Sequence, residues 1–280
     1  MPKVAVLTDS SAYLPPELVK QYGIHVIPLT VLWGSDTLLD GVEITPDEFL
    51  QRLTKDPVHP STTQPNPDDF TVVFESIAKK YDAIVAPLIS DELSGTVNSA
   101  ETAASEYKRI PVRVVDSRLT TMGLGFATLA AARAAANGMT LDEVEQAARS
   151  AAAASRVLFV VETLEYLHRG GRIGGASKLF GTTLSIKPLL HLHEGRVDAL
   201  EKVRTKKKAV DRMLELATEY ANGRPVRVSV IHAGAPEEAA ALKNHMSEHF
   251  NCLEVHIAAI SPAISIHTGP GTVGLALSSE

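Results

Sequence analysis

Three separated turns carry the side chains best suited to holding an anionic group. The first, Pro60-Ser61-Thr62-Thr63-Gln64-Pro65, sets three hydroxyls and an amide on a backbone with few alternative conformations. Four prolines within residues 56–67 exclude a helix or a central strand, so this segment reads as a stiff loop. The second, Ser90-Asp91-Glu92-Leu93-Ser94-Gly95-Thr96, follows the apolar run Ala83 to Leu88 and enters a helical pattern ending near Tyr107. A helix starting at a strand's carboxyl end presents free N–H groups, here near Gly95 and Thr96. With the Ser94 hydroxyl they suit a carboxylate or phosphate without any cation, and they suit an ordinary serine N-cap equally well. The third, Ile266-His267-Thr268-Gly269-Pro270-Gly271-Thr272, places a histidine and two threonines beside glycines that let a ligand approach the backbone. A lone histidine at the end of a strand is more often structural than ligand-binding.

The elements that must position these turns follow an alternating pattern. Strands are expected at Val4 to Leu7, His25 to Leu32, Ala83 to Leu88, Val112 to Val115 and Val157 to Val161, mostly as unbroken apolar runs of the kind a doubly covered sheet requires. Thr45 with Glu48 and Thr140 with Glu143 form capping boxes, and Asn66-Pro67 is an N-cap followed by an N1 proline. An Ala-rich helix from Gly125 ends at Gly138. The second half predicts a helix from Thr163, a glycine-rich turn at Gly170 to Gly175, and a hairpin of Lys187 to Leu192 with Val197 to Val203 through Glu194-Gly195. Beyond it come a helix from Lys206 to Tyr220, a strand Val226 to Ile231, a helix Pro236 to His249, and strands near Cys252 to Ile257 and Ser265 to Thr268. The class is α/β with mainly parallel sheets, divided near residue 155.

Composition narrows the function classes. At a formal charge of −6 with 5% aromatic residues, the chain offers no nucleic-acid surface. Its one cysteine, Cys252, excludes an internal disulfide and fits a reducing cytoplasm. The first apolar run is too short for a signal sequence, and none approaches the ~20 residues of a membrane span, so a cytoplasmic location is expected. Three chemical motifs read as coincidences. Gly269-Pro-Gly271-Thr-Val-Gly274 satisfies the dinucleotide fingerprint but leaves too little chain for the rest of that unit. His245-Met-Ser-Glu248-His249 fits a zinc pattern without an evident third ligand, and Asp9 lacks the second acid of an aspartyl-phosphate enzyme. No metal and no cofactor is expected.

Taken together, Thr8-Asp9-Ser10-Ser11, Pro60-Ser61-Thr62-Thr63-Gln64-Pro65, Leu93-Ser94-Gly95-Thr96, Gly170-Gly171-Arg172-Ile173, Lys187-Pro188 and His267-Thr268-Gly269-Pro270-Gly271 resemble the DegV family in order and spacing over nearly the whole chain. The resemblance implies a two-domain α/β fatty-acid carrier, not an enzyme, with the ligand between the domains. Some such proteins present their lipid to a separate fatty acid kinase. It places the carboxylate contacts on Thr62, Ser94 and His267, with Ser61, Gly95 and Thr268 beside them. It also gives residues 1–155 the carboxylate-binding loops and residues 156–280 the acyl tunnel. Thr63, Asn66 and Gly174 depart from residues common in the family, all at flanking positions.

The chemistry agrees with that implication. A sixteen-carbon tail gains roughly 10 kcal/mol gross on burial, at about 0.8 kcal/mol per CH₂, and neutral donors suffice for the head. Leu158 to Leu167, Ala176 to Leu190 and Ile257 to Ile266 are the candidate tunnel walls. Arg169, Arg172, Arg204 and Lys206 to Lys208 form the main basic concentration, although lysines at a helix start oppose its dipole. Arg172 and Arg204 are expected at the mouth, facing a kinase partner or an acyl phosphate. The rival reading is a small-molecule hydrolase or phosphotransferase acting at Ser94, which lacks a G-x-S-x-G elbow.

Overall fold

Strand β1 (Val4–Asp9) is buried along its whole length, as its unbroken apolar start requires. The computed structural model describes residues 3–181 and 187–279. After β1 come α1 (Pro16–Tyr22), β2 (His25–Ile27), β3 (Thr30–Trp33), β4 (Asp36–Leu39), α2 (Pro46–Leu53) and β5 (Ser61–Thr63). Next are α3 (Pro67–Ile77), β6 (Ala83–Leu88), α4 (Thr96–Glu106), β7 (Val112–Asp116), α5 (Thr121–Ala136) and α6 (Leu141–Ala153). The later part holds β8 (Ser155–Val160), α7 (Glu165–Arg169), β9 (Lys187–His193), β10 (Arg196–Val203) and α8 (Lys206–Ala221). It closes with β11 (Val226–His232), α9 (Pro236–His249), β12 (Cys252–Ala259), α10 (Pro262–Thr268) and β13 (Val273–Ser279).

The α/β class stands, with two principal sheets. The first has the order β2-β1-β6-β7 and is parallel throughout. The second, β10-β9-β8-β13-β11-β12, is mixed, not mainly parallel: only β11 and β12 run parallel. Two features cause this. Glu194-Gly195 folds β9 onto β10 as the expected hairpin, and β13, which the sequence reading did not foresee, returns antiparallel between β8 and β11. A small antiparallel sheet, β4-β3-β5, stands apart from both. No helix among the described residues is long and apolar enough to cross a membrane.

Local signals fixed most boundaries and misled at a few. Thr45, Asn66 and Thr140 all cap their helices reciprocally with the acid three residues on. The expected strand His25 to Leu32 is broken by Pro28 into β2 and β3, which join different sheets. The Ala-rich helix begins at Thr121, four residues before Gly125, and the helix expected from Thr163 begins at Glu165. Ser265 to Thr268 is not a strand: Ser261 caps and Pro262 starts α10 there, a signal hidden inside an apolar, β-branched run. The Pro60–Pro65 segment does form a short strand, β5, on the edge of its sheet, where flanking prolines cost no ladder bond.

One apolar core runs through the molecule. It joins Val6 and Val85 of the first sheet, through Leu124 and Leu129 of α5, to Val157 and Phe159 of the second. A Cβ on Gly123 would stand 2.5 Å from Val157, so glycine is what lets α5 lie directly on β8. Further cores sit under α8 and α9, and under α3 and α4.

Candidate functional site

Ser94 lies in the loop after β6, one residue ahead of Gly95, which takes the N-cap position of α4. Its hydroxyl is therefore not consumed in capping, and it pairs with the Thr96 hydroxyl at 2.9 Å. Thr62 is the central residue of β5, opposite Val31 of β3. His267 is the penultimate residue of α10. These three, together with Thr268 and Arg172, line one cavity with about 760 Å³ of free space, its mouth included.

The glycine-rich turn brings the parts together. A Cβ on Gly170 would overlap the His267 ring, so the turn must carry glycine for the ring to pack there. Arg172 Nε donates to the Leu93 carbonyl at 3.1 Å, and its Nη1 donates to the Gly170 carbonyl at 2.9 Å. The turn thus packs on His267 on one side and is tied to the Ser94 loop on the other. Burial first, then the charge of Arg172 and the neighbouring His59, pushes the His267 pKa down to about 3. The imidazole is neutral at pH 7 and offers one donor and one acceptor. His267 Nδ1 and Thr268 Oγ1 are buried without hydrogen-bond partners, and most buried polar atoms have one. Among the described residues lining the cavity, Arg172 carries the only formal charge. An anionic head with an apolar tail matches this wall.

Two buried carboxylates hold the loops in place. Asp9 accepts from the Ile89 N–H at 2.7 Å and the Ser11 N–H at 2.9 Å, which fixes the start of the Ser94 loop to the end of β1. Asp40 accepts from Ser10 Oγ at 2.6 Å and from the Ala263 N–H at 3.1 Å, which anchors the start of α10 and so the helix that carries His267. Burial raises the pKa of both, that of Asp40 to about 6. At the far side of His267, Lys206 Nζ donates to the Gly271 carbonyl at 2.7 Å while pairing with Glu162 and Glu238 at 2.9 and 2.8 Å. This explains a lysine at a helix start: the carboxylates and the carbonyl outweigh the dipole. Thr272 Oγ1 closes the turn with 3.0 and 2.9 Å bonds to the Thr268 and Gly269 carbonyls.

A family model described as an uncharacterised protein of the DegV family matches residues 3–280. A DegV domain-containing protein of Streptomyces coelicolor is 45% identical over 280 residues, which cover 99% of each chain. The chain belongs to the DegV family. Among solved structures, one described as fatty acid binding of a DegV family protein from Thermus thermophilus matches with a TM-score of 0.94 at 36% identity, covering 100% of both chains. DegV of Bacillus subtilis, described as a fatty acid binding protein, matches with a TM-score of 0.93 at 33% identity, again over 100% of both.

In this DegV-family chain the residues singled out from sequence divide into two groups. Thr62, Ser94, His267, Thr268 and Arg172 share the cavity wall. Gly95 lies just behind it, where a Cβ would stand 3.1 Å from Gln64 Nε2. Ser61 is exposed at the start of β5 and Arg204 is exposed ahead of α8; neither lines the cavity. The apolar wall draws on both halves of the chain, with Leu29 and Ile89 facing Phe159, Leu167, Ile260 and Ile264. Of the expected wall Ala176 to Leu190, residues 182–186 lie outside the described residues, and the hairpin contributes Leu192 and Val197 instead. Sequence reasoning missed Thr120 and Thr121, which also line the cavity. The signal was two adjacent threonines at the head of an apolar helix, obscured because that helix was started at Gly125.

Proposed function

We propose that this chain binds one long-chain fatty acid, holding the carboxylate with Thr62, Ser94 and His267, and burying the tail between the two sheets. The reading rests on one observation: neutral donors from three distant segments and an apolar wall drawn from both halves of the chain belong to the same cavity. Two full-length structural neighbours described as fatty acid binding support it. A division near residue 155, where β8 opens the second sheet, would put the tail between two α/β domains. We read the chain as a carrier because the Ser94 hydroxyl pairs with that of Thr96 and not with a general base. Its natural outlet is a separate fatty acid kinase, met by Arg172 at the mouth and by the exposed Arg204; unchanged kinase coupling after charge reversal at both arginines would defeat that step.

Native mass spectrometry of gently purified protein should detect a retained long-chain fatty acid. Ser94→Ala or Thr62→Ala should each weaken binding by ~1–3 kcal/mol, because a buried carboxylate loses a donor. An empty protein that shows esterase activity would instead point to an enzyme at Ser94.

A further inference from the structure

The motif His245-Met-Ser-Glu248-His249 stands on α9, a helix of 14 residues that packs on β11 and β12, and no residue of α9 lines the acyl cavity. Among the described residues no three His, Cys, Asp or Glu side chains gather into a metal-binding group, so the three-ligand centre of a zinc hydrolase is absent there. What the helix does build is a pair. His245 and His249, four residues apart, share one face of α9. Their rings stack with centroids 4.3 Å apart and planes 13° from parallel.

Three further features suit this pair to a cation. His249 Nδ1 lies 3.0 Å from the His245 carbonyl, and a carbonyl can only accept, so Nδ1 carries the proton. The lone pair of the neutral ring is then on Nε2. This is the arrangement in which a backbone carbonyl fixes the tautomer of a metal-ligating histidine. His249 is also the last residue of α9 and His245 opens its last turn, where the negative end of the helix dipole favours a cation. Glu248 adds a negative charge in the same turn. His249 is exposed and His245 half-buried, so the rings are free to make the small rotations that bring both lone pairs onto one ion.

We propose that His245 and His249 form a two-histidine chelate for one divalent transition-metal ion of the imidazole-binding class, copper, nickel or zinc, with water filling the remaining positions. Imidazole selects such ions over magnesium and calcium, which take oxygen ligands. The bound ion ties together the last turn of α9, just ahead of β12. The proposal does not depend on the fatty-acid reading, because the pair lies outside the cavity.

The test is calorimetric titration of Cu²⁺ and of Zn²⁺ into the wild-type chain, His245→Asn, His249→Asn and the double variant, with Mg²⁺ as the oxygen-seeking control. The chain has ten histidines, so the variants, not the stoichiometry, assign the site. The wild type should bind Cu²⁺ more tightly than Zn²⁺ and should not respond to Mg²⁺. Each single variant should weaken the tightest Cu²⁺ site by roughly a hundredfold, the gain from a second ligand held on the same scaffold. Pulsed electron paramagnetic resonance with one equivalent of Cu²⁺ should show two coupled imidazoles in the wild type and one in each single variant. Unchanged metal-free melting curves report that the variants are folded, and alanine replaces asparagine where they are not. Equal Cu²⁺ affinity in the wild type and the double variant, or a single coupled imidazole in the wild type, overturns the proposal.

Discussion

His267 shows how much a single side chain depends on its surroundings. Its pKa of about 3, set by burial and by the charge of Arg172, means that the folded protein refuses a proton which the unfolded chain accepts near 6.5. Between those values the unfolded state holds more protons, so stability must fall as pH drops through the window. Asp40 acts with the opposite sign. Its folded pKa of about 6 lies above its ordinary 3.8, so its contribution is full at low pH and is lost as pH rises through 6. The two overlap, and only a paired comparison separates them. Melting temperature followed from pH 7 to pH 4 should decline less steeply for His267→Gln than for the wild type, since Asp40 is common to both; parallel curves would show that the ring is not held neutral by burial. Thr62 and Ser94 were legible in sequence as hydroxyls on conformationally restricted segments, although Thr62 lies on strand β5 and not in a turn. Thr120 was not, because only the fold carries it into the same cavity wall.

At the scale of elements, the turn Gly170–Arg172 links the two sides of the site. Gly170 has an ordinary right-handed backbone at φ −76°, so a substitution there tests space and not conformation. Gly170→Ala should force a Cβ into the His267 ring and cost roughly 1–3 kcal/mol of stability, with a loss of fatty-acid affinity. Gly171 offers the contrast: at φ 68° with open space around it, Gly171→Ala should cost about 1–2 kcal/mol through backbone strain alone and leave affinity unchanged. Thermal melts with fatty-acid titrations on both variants distinguish these effects. Equal affinities in the two would remove the turn from the site. Elements with caps were read correctly from local sequence, as at Thr45, Asn66 and Thr140, because a cap and its partner lie three residues apart. The run Ser261 to Thr268 was misread because its apolar, β-branched residues suit a buried strand and a buried helix equally.

For the whole molecule, the shared core has a direct consequence. Val6 and Val85 from one sheet and Val157 and Phe159 from the other pack in one apolar cluster through α5, so the halves on either side of residue 155 should not unfold separately. Denaturant unfolding followed by tryptophan fluorescence from Trp33 in the first half and by far-ultraviolet circular dichroism should give one coincident transition, displaced to higher denaturant by added fatty acid. Two separable transitions would mean that the halves are independent domains. By itself, the sequence determined the α/β class, most strands and helices and the loop that bears Ser94, since these depend on apolar periodicity, caps and backbone restriction over a few residues; that Thr62 lies on strand β5 and His267 on helix α10 came from the fold. Only the tertiary structure decided that β13 enters the second sheet antiparallel, that Asp9 and Asp40 brace loops far away in the chain, and that Thr120 joins the same cavity wall. Those outcomes depend on contacts between residues tens to hundreds of positions apart, which no local pattern encodes.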